Sequence, residues 1–183
     1  MTSFLAMLGE PNVLATALVP FGLWLWVMGL TRTLSRFAGG LAIVCSVTLV
    51  LKWIFATPSA TLWSDGVLIS QYFPSGHAAV ATAVYGSLAI VLAGASGGAW
   101  RYAPIGALVL SVAVAAGRVL THMHPIGDAF FGVLIGLASP VTTYFGVIRE
   151  SRPFPNAGWI LIVFLAALSA GLMWPAPIRD VLP

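Results

Sequence analysis

Charge is scarce in this chain, with eight basic and five acidic residues among 183, or 7% of the sequence. An ordinary soluble domain carries roughly a quarter charged residues, so a conventional water-facing surface is excluded. So few cations, nearly matched by anions, cannot build the dense basic face that nucleic acid requires, and no nucleic-acid role is indicated. Cysteine occurs once, at Cys45, which rules out an intrachain disulfide and a cysteine-based metal cluster. In its apolar run Cys45 reads as a small buried side chain. Internal repeats and low-complexity tracts are absent, so a single membrane-embedded domain over residues 1–183 is expected. Nothing indicates haem, nucleotide or flavin, so no cofactor is expected, and no feature specifies an oligomeric state.

What the chain has instead is apolar length: 60% of its residues are hydrophobic and the mean hydropathy is +1.00. Apolar runs fall at roughly 12–30, 37–56, 77–95, 102–120, 126–147 and 157–174. Each is close to the ~20 residues that cross ~30 Å of hydrocarbon. They predict an all-α polytopic membrane protein, a bundle of six transmembrane helices in contact with membrane lipids. Pro58, Pro74, Gly97-Gly98, Pro104, Pro125, Pro153, Pro155 and Pro175 lie at or near run ends, while Pro140 sits inside the fifth run and predicts a kink. The first run has no basic residue ahead of it and is too long for a signal-peptide core, so it is expected to stay in the mature protein. The longest connection, 57–76, carries Trp63, Asp65 and Tyr72 and suits an interfacial segment. The seven tryptophans and ten phenylalanines read mostly as lipid-facing or belt residues.

Six crossings place Arg32, Arg36, Arg101, Arg149 and Arg152 on one side and only Arg179 on the other, with Lys52 and Arg118 set aside inside helix ends. The positive-inside rule makes the five-arginine side cytoplasmic. Both termini and the loops at 57–76 and 121–125 then face the periplasm or cell exterior, with a bacterial inner or plasma membrane as the expected setting.

The same outward side collects the unusual polar residues: Lys52, His77, Arg118, His124 and Asp128, from four separate helix ends. Ionisable groups at membrane depth are costly unless they pair or bind something. Snorkelling to the interface is the plain alternative for Lys52 or Arg118 taken singly; five such groups together point to a site. The densest stretch is Gly117-Arg118-Val119-Leu120-Thr121-His122-Met123-His124-Pro125-Ile126-Gly127-Asp128. Asp128 lies four residues after His124, with Pro125 in a favoured first-turn position, so the two side chains can share a helix face. A carboxylate there takes the proton of one ring nitrogen and leaves the other free to attack. His122 competes for that role but lies six residues from Asp128 and off that face, so His124 is favoured.

A second stretch, Pro74-Ser75-Gly76-His77, runs directly into the apolar Ala78-Ala79-Val80-Ala81. Ser75 or Gly76 can serve as N-cap, and the free N–H groups with the helix dipole make a pocket for an oxyanion. Alone, these four residues read as an ordinary capped helix start. Together with the first stretch they supply phosphoryl chemistry: His124 attacks phosphorus, His77 protonates the departing oxygen, and Arg118 and Lys52 stabilise charge on the phosphoryl oxygens. That requires His124 neutral and His77 protonated, hence a bell-shaped pH profile.

Pro74-Ser75-Gly76-His77, then Arg118, five residues, His124, three residues and Asp128, resembles the second and third signature motifs of the type 2 phosphatidic acid phosphatase superfamily. That superfamily includes integral-membrane lipid phosphatases, glucose-6-phosphatase and the soluble vanadium haloperoxidases. The resemblance implies a histidine-based, metal-independent phosphatase in which His124 forms a phosphohistidine, Asp128 supports it and His77 is the acid. It implies also that Ser75, Gly76 and Arg118 bind phosphate, and that no metal site is needed. The first motif departs from the family pattern: after Lys52 the positions of its arginine and proline hold Ser59 and Ala60, with Thr57-Pro58 one position early. The usual serine before the third-motif arginine is Gly117 here.

The sequence therefore predicts an integral-membrane phosphomonoesterase or diphosphatase acting on a lipid phosphate at the outer leaflet. A polyprenyl diphosphate of the undecaprenyl type leads, with phosphatidylglycerophosphate, phosphatidic acid and lipid A phosphates beside it. The alternatives are a lipid-to-lipid phosphotransferase and a non-catalytic phosphate-binding or transport protein. A transporter would more often show paired inverted halves, and none is visible.

Overall fold

The computed structural model describes residues 7–55, 72–95, 98–154 and 156–173, and among them the regular structure is all helical. In chain order the helices are α1 (Pro11–Val27), α2 (Thr31–Phe55), α3 (Gly76–Ala95), α4 (Ala103–Leu120), α5 (Ile126–Gly136), α6 (Ala138–Val147) and α7 (Ala157–Met173), with a 3-10 turn at Gly98–Tyr102 leading into α4. Four stretches are long and apolar enough to cross a membrane: Thr31–Phe55, Gly76–Ala95, Gly98–Leu120 and Ile126–Val147. The helices of the first and last runs have 17 residues each. At 1.5 Å per residue that is about 25 Å, short of the hydrocarbon thickness.

Two boundaries differ from the apolar runs, each for a local reason. α2 begins at Thr31 rather than near Phe37 because its polar first turns are held from across the fold. Glu150 Oε2 accepts both the N–H and the hydroxyl of Thr33, at 3.2 Å each. Hydropathy cannot register a cap delivered by a residue 117 positions away. The fifth run divides at Leu137, three residues ahead of the proline expected to kink it. Pro140 has no N–H to give the Gly136 carbonyl, so the ladder breaks there, and the Leu137 N–H is shared between the Val133 and Leu134 carbonyls at 3.2 Å.

α3 is the axis of the bundle, packed by α2, α4, α5 and α6. Its inner face is built from small residues, and Ala78, Ala79, Ala81 and Ala83 are all fully buried. Small side chains let neighbouring backbones come close, the packing available where lipid removes the hydrophobic drive between helices. Gly132 and Gly136, one turn apart on α5, exploit this. A Cβ at Gly132 would stand 2.5 Å from the Ser75 carbonyl oxygen, and one at Gly136 the same distance from that of Ala79. Further along α3 a buried polar trio ties it to α6. Ser87 and Ser139 hydroxyls are 2.9 Å apart, and the Thr143 hydroxyl lies 3.1 Å from that of Ser87.

The aromatics divide in two. Trp26, Trp53 and Trp159 are between 63% and 75% exposed, as expected of side chains that meet lipid. Several phenylalanines instead form core: Phe21 meets Phe37 and Phe164 edge-on at 5.6 and 6.1 Å, joining α1, α2 and α7. A lipid-facing role for most aromatics is thus corrected for these rings, which fill space between helices too small-sided to close it alone.

Candidate active site

The turn after α4 determines where His124 goes. Met123 N–H reaches the Arg118 carbonyl at 3.0 Å and His122 N–H the Val119 carbonyl at 3.0 Å, the paired bonds of a Schellman motif. That motif needs a left-handed residue after the cap, and His122 supplies it with φ at 56°. Histidine is one of the few side chains enriched in that region. His122 thus has a backbone role, although it also borders the cavity described below. The Arg118 carbonyl accepts a second, longer bond from the His124 N–H at 3.3 Å, folding the His124 segment back onto the helix end that carries Arg118.

His124 stands just ahead of α5, whose N-cap is Pro125, so it is not on the helix face as expected. The pairing forms nonetheless, because Asp128 occupies the third helical position, from which a side chain can reach back past the cap. His124 Nδ1 lies 3.0 Å from Asp128 Oδ2, and Asp128 is fully buried. The other ring nitrogen, Nε2, is left for chemistry.

The start of α3 is locked to this pair through the backbone. Ser75 N–H donates to the Asp128 carbonyl at 3.0 Å, a bond made possible by the absent side chain at Gly132 one turn further on. Ser75, not Gly76, is the N-cap: its carbonyl accepts the Ala79 N–H at 3.1 Å and its hydroxyl faces the Ala78 N–H at 3.5 Å. The N–H groups of Gly76 and His77, in the first turn, have no acceptor within the helix.

Lys52, in the last turn of α2, lies over this helix start, its Cε 3.6 Å from where a Gly76 Cβ would be. Its ammonium donates to the Tyr72 carbonyl at 2.9 Å. A cavity of about 630 Å³ results, walled by Thr48, Lys52, Gly76, His77, His122 and His124 among others. Cys45 borders it too and is only half-buried, a correction to its reading as a core residue. Ser75, Arg118 and Asp128 stand behind this wall, all buried. The seven expected residues are therefore gathered at one end of the bundle: four on the cavity and three supporting them.

Sequence reasoning missed one residue. Glu10, the N-cap of α1, turns its carboxylate into the cluster: Oε1 is 3.1 Å from Arg118 Nη2 and Oε2 is 3.4 Å from His77 Nε2. The available signal was a lone carboxylate immediately ahead of an apolar run, on the side already rich in polar groups. Two buried polar atoms have no hydrogen-bond partner among the described residues, Arg118 Nε and Thr48 Oγ1. Buried donors without acceptors are rare, and each calls for a partner such as an ordered water or a bound ion. Among the described residues no group of three or more His, Cys, Asp or Glu could hold a metal ion. Ser59 and Ala60, which stand where the family has its first-motif arginine and proline, lie outside the described residues.

A family model described as the PAP2 superfamily matches residues 33–152, about two thirds of the chain. The chain belongs to the PAP2 superfamily. The matched span takes in every expected site residue from Lys52 to Asp128 and leaves out Glu10, α1 and α7. PAP2 proteins are generally phosphoesterases, and membership together with four long apolar helices fits an integral membrane protein. No curated protein and no solved structure matches the chain.

Proposed function

We propose that this PAP2 protein is a lipid phosphatase with His124 as nucleophile, one membrane-embedded domain of six spans in which α1 and α7 are the shorter pair. The observation that carries the reading is the His124–Asp128 pair at 3.0 Å, beside a cavity that also receives His77 and Lys52. With Asp128 accepting the proton on Nδ1, His124 Nε2 presents a lone pair to phosphorus. As the N–P bond forms, the P–O bond to the lipid breaks and His77 gives its proton to the departing oxygen. His77, now neutral, then takes a proton from water as that water attacks the phosphohistidine, releasing inorganic phosphate and restoring both rings. Lys52, Arg118 and the N–H groups opening α3 balance the charge on the phosphoryl oxygens. No metal is required in this scheme.

A lipid is favoured over a soluble phosphate by the cavity's setting. Leu49 borders the cavity yet is 66% exposed on the outer surface of α2, which continues through Val50 and Trp53. An apolar tail can therefore lie against the helix while its head group enters. Among lipids, the site's placement opposite the arginine-rich end favours a substrate of the outer leaflet, a polyprenyl diphosphate first, with both termini on that same side of a bacterial inner or plasma membrane.

The test is phosphate release from a panel of lipid phosphates in detergent with a chelator present. Wild type should release phosphate, and His124→Ala and His77→Ala should lose at least a hundredfold of that activity. Equal activity in all three proteins would overturn the assignment, and activity only after metal is restored would overturn the mechanism. Binding of lipid phosphate without turnover would leave a phosphate-binding protein, and phosphate recovered on a second lipid would make it a transferase.

A further inference from the structure

The proposed reaction assigns a carboxylate to one of its two histidines: Asp128 sets the tautomer of His124. His77 has to hold a proton until the leaving oxygen needs it. It does so at the positive end of a helix dipole and beside Arg118, which shares the Glu10 carboxylate with it. Something anionic must offset those two effects. The charged and titratable groups around His77 are Glu10 ahead of α1, Lys52 at the end of α2, Arg118 in the last turn of α4, and His122 and His124 ahead of α5. The anion among them that makes direct contact with His77 is Glu10.

We infer that Glu10 is the positioning residue for His77, a second carboxylate–histidine pair that works the acid as Asp128 works the nucleophile. Its two oxygens are divided between two tasks. Oε2 faces His77 Nε2 at 3.4 Å, orienting the ring and favouring the imidazolium. Oε1 meets Arg118 Nη2 at 3.1 Å, fixing a guanidinium that is 96% buried along its side chain. A monodentate bond leaves the rest of the fork for a phosphoryl oxygen, and the unpartnered Arg118 Nε is such a donor. Glu10 is the N-cap of α1, so this helix, outside the family match, becomes a working part of the site rather than a peripheral span. The inference rests on the phosphatase reading.

The experiment compares kcat and KM across pH for wild type, Glu10→Gln and Glu10→Asp, using a lipid phosphate that wild type hydrolyses. Glutamine keeps the shape and removes the charge. The imidazolium then loses its proton at lower pH, so the alkaline limb of kcat/KM should move down by about one pH unit while the acid limb stays. Above that limb the activity falls about tenfold, and aspartate should recover most of it. An unmoved alkaline limb overturns the inference in each of its forms: a wild-type profile means no role, a uniform loss with a lowered melting temperature means a scaffold role, and a lowered KM means a carboxylate that merely competes with phosphate. His77→Ala and His124→Ala in the same assay separate the two levels. If both keep wild-type release, the phosphatase reading fails; if both are inactive and Glu10→Gln is unchanged at every pH, only the role of Glu10 fails.

Discussion

Arginine stands at both ends of α2's reach, on opposite terms. In the first two turns of this 25-residue helix, about 37 Å long, Arg32 and Arg36 are exposed and share a surface cleft with Arg149. Arg32 Nη1 donates to the Arg149 carbonyl at 2.6 Å, just past the end of α6, where a cation suits the helix dipole. Beyond the last turn lies Arg118, 3% exposed, held by one carboxylate and with one nitrogen unsatisfied. Water satisfies the first group at little cost; the second is cut off from bulk water and keeps an unfilled hydrogen-bonding position. The contrast is between cations that face outward at one end and a buried cation paired with a carboxylate at the other; on the proposed reading the first orient the protein and the second serves chemistry.

The carboxylates test this most sharply. Asp128→Asn should cut phosphate release roughly 10³- to 10⁴-fold by offering His124 the wrong tautomer. Glu150→Gln, at the arginine end, should stay within about threefold, since capping Thr33 contributes to stability and not to the reaction. A similar loss in both would erase the distinction. The arginines come next. Arg118→Lys should cost about a hundredfold, because an ammonium cannot hold Glu10 and a phosphoryl oxygen in one plane, while Arg36→Lys should leave activity unchanged within about twofold. Phosphate release measured side by side decides it.

The remaining two expectations concern the frame. Gly136→Leu forces a side chain into the Ala79 carbonyl and Thr82, and should lower stability by about 1–3 kcal/mol, read as a fall in the melting temperature in detergent. Removal of Cys45 followed by single cysteines at Ser64 and Arg149 tests the sidedness. In intact cells an impermeant reagent should label position 64 and not 149, and the reverse pattern would put the arginine end outside.

That the candidate residues come together was legible from spacing, because their two motifs are local. Ser75-Gly76-His77 and the Arg118 to Asp128 stretch each lie within one turn-and-helix junction, and alternating crossings bring such junctions to one membrane face. The helices were legible from apolar length wherever lipid sets their ends. What escaped notice depends on contacts across the fold. Glu10 is separated from Arg118 by 108 residues, and the cap on Thr33 comes from a residue 117 positions along the chain. His122 was set aside because it lies off the Asp128 face, whereas its actual task is a left-handed turn, which no count of spacing reveals. The expectation that placed His124 on the helix reached the right pairing by the wrong route, since Asp128 reaches backward to a residue outside it.

The amide of Ser75 ends on the carbonyl of Asp128, so the start of α3 and the residue that meets His124 are tied together through their backbones. A tilt of α3 or of α5 would strain both ends of that tie at once. On the proposed reading, a change in which head group or tail is accepted is then expected from the described parts outside that joint, the end of α2 and the residues just ahead of α1. The tied joint is an anvil and the parts beside it a clamp, and a search for altered selectivity belongs on the clamp.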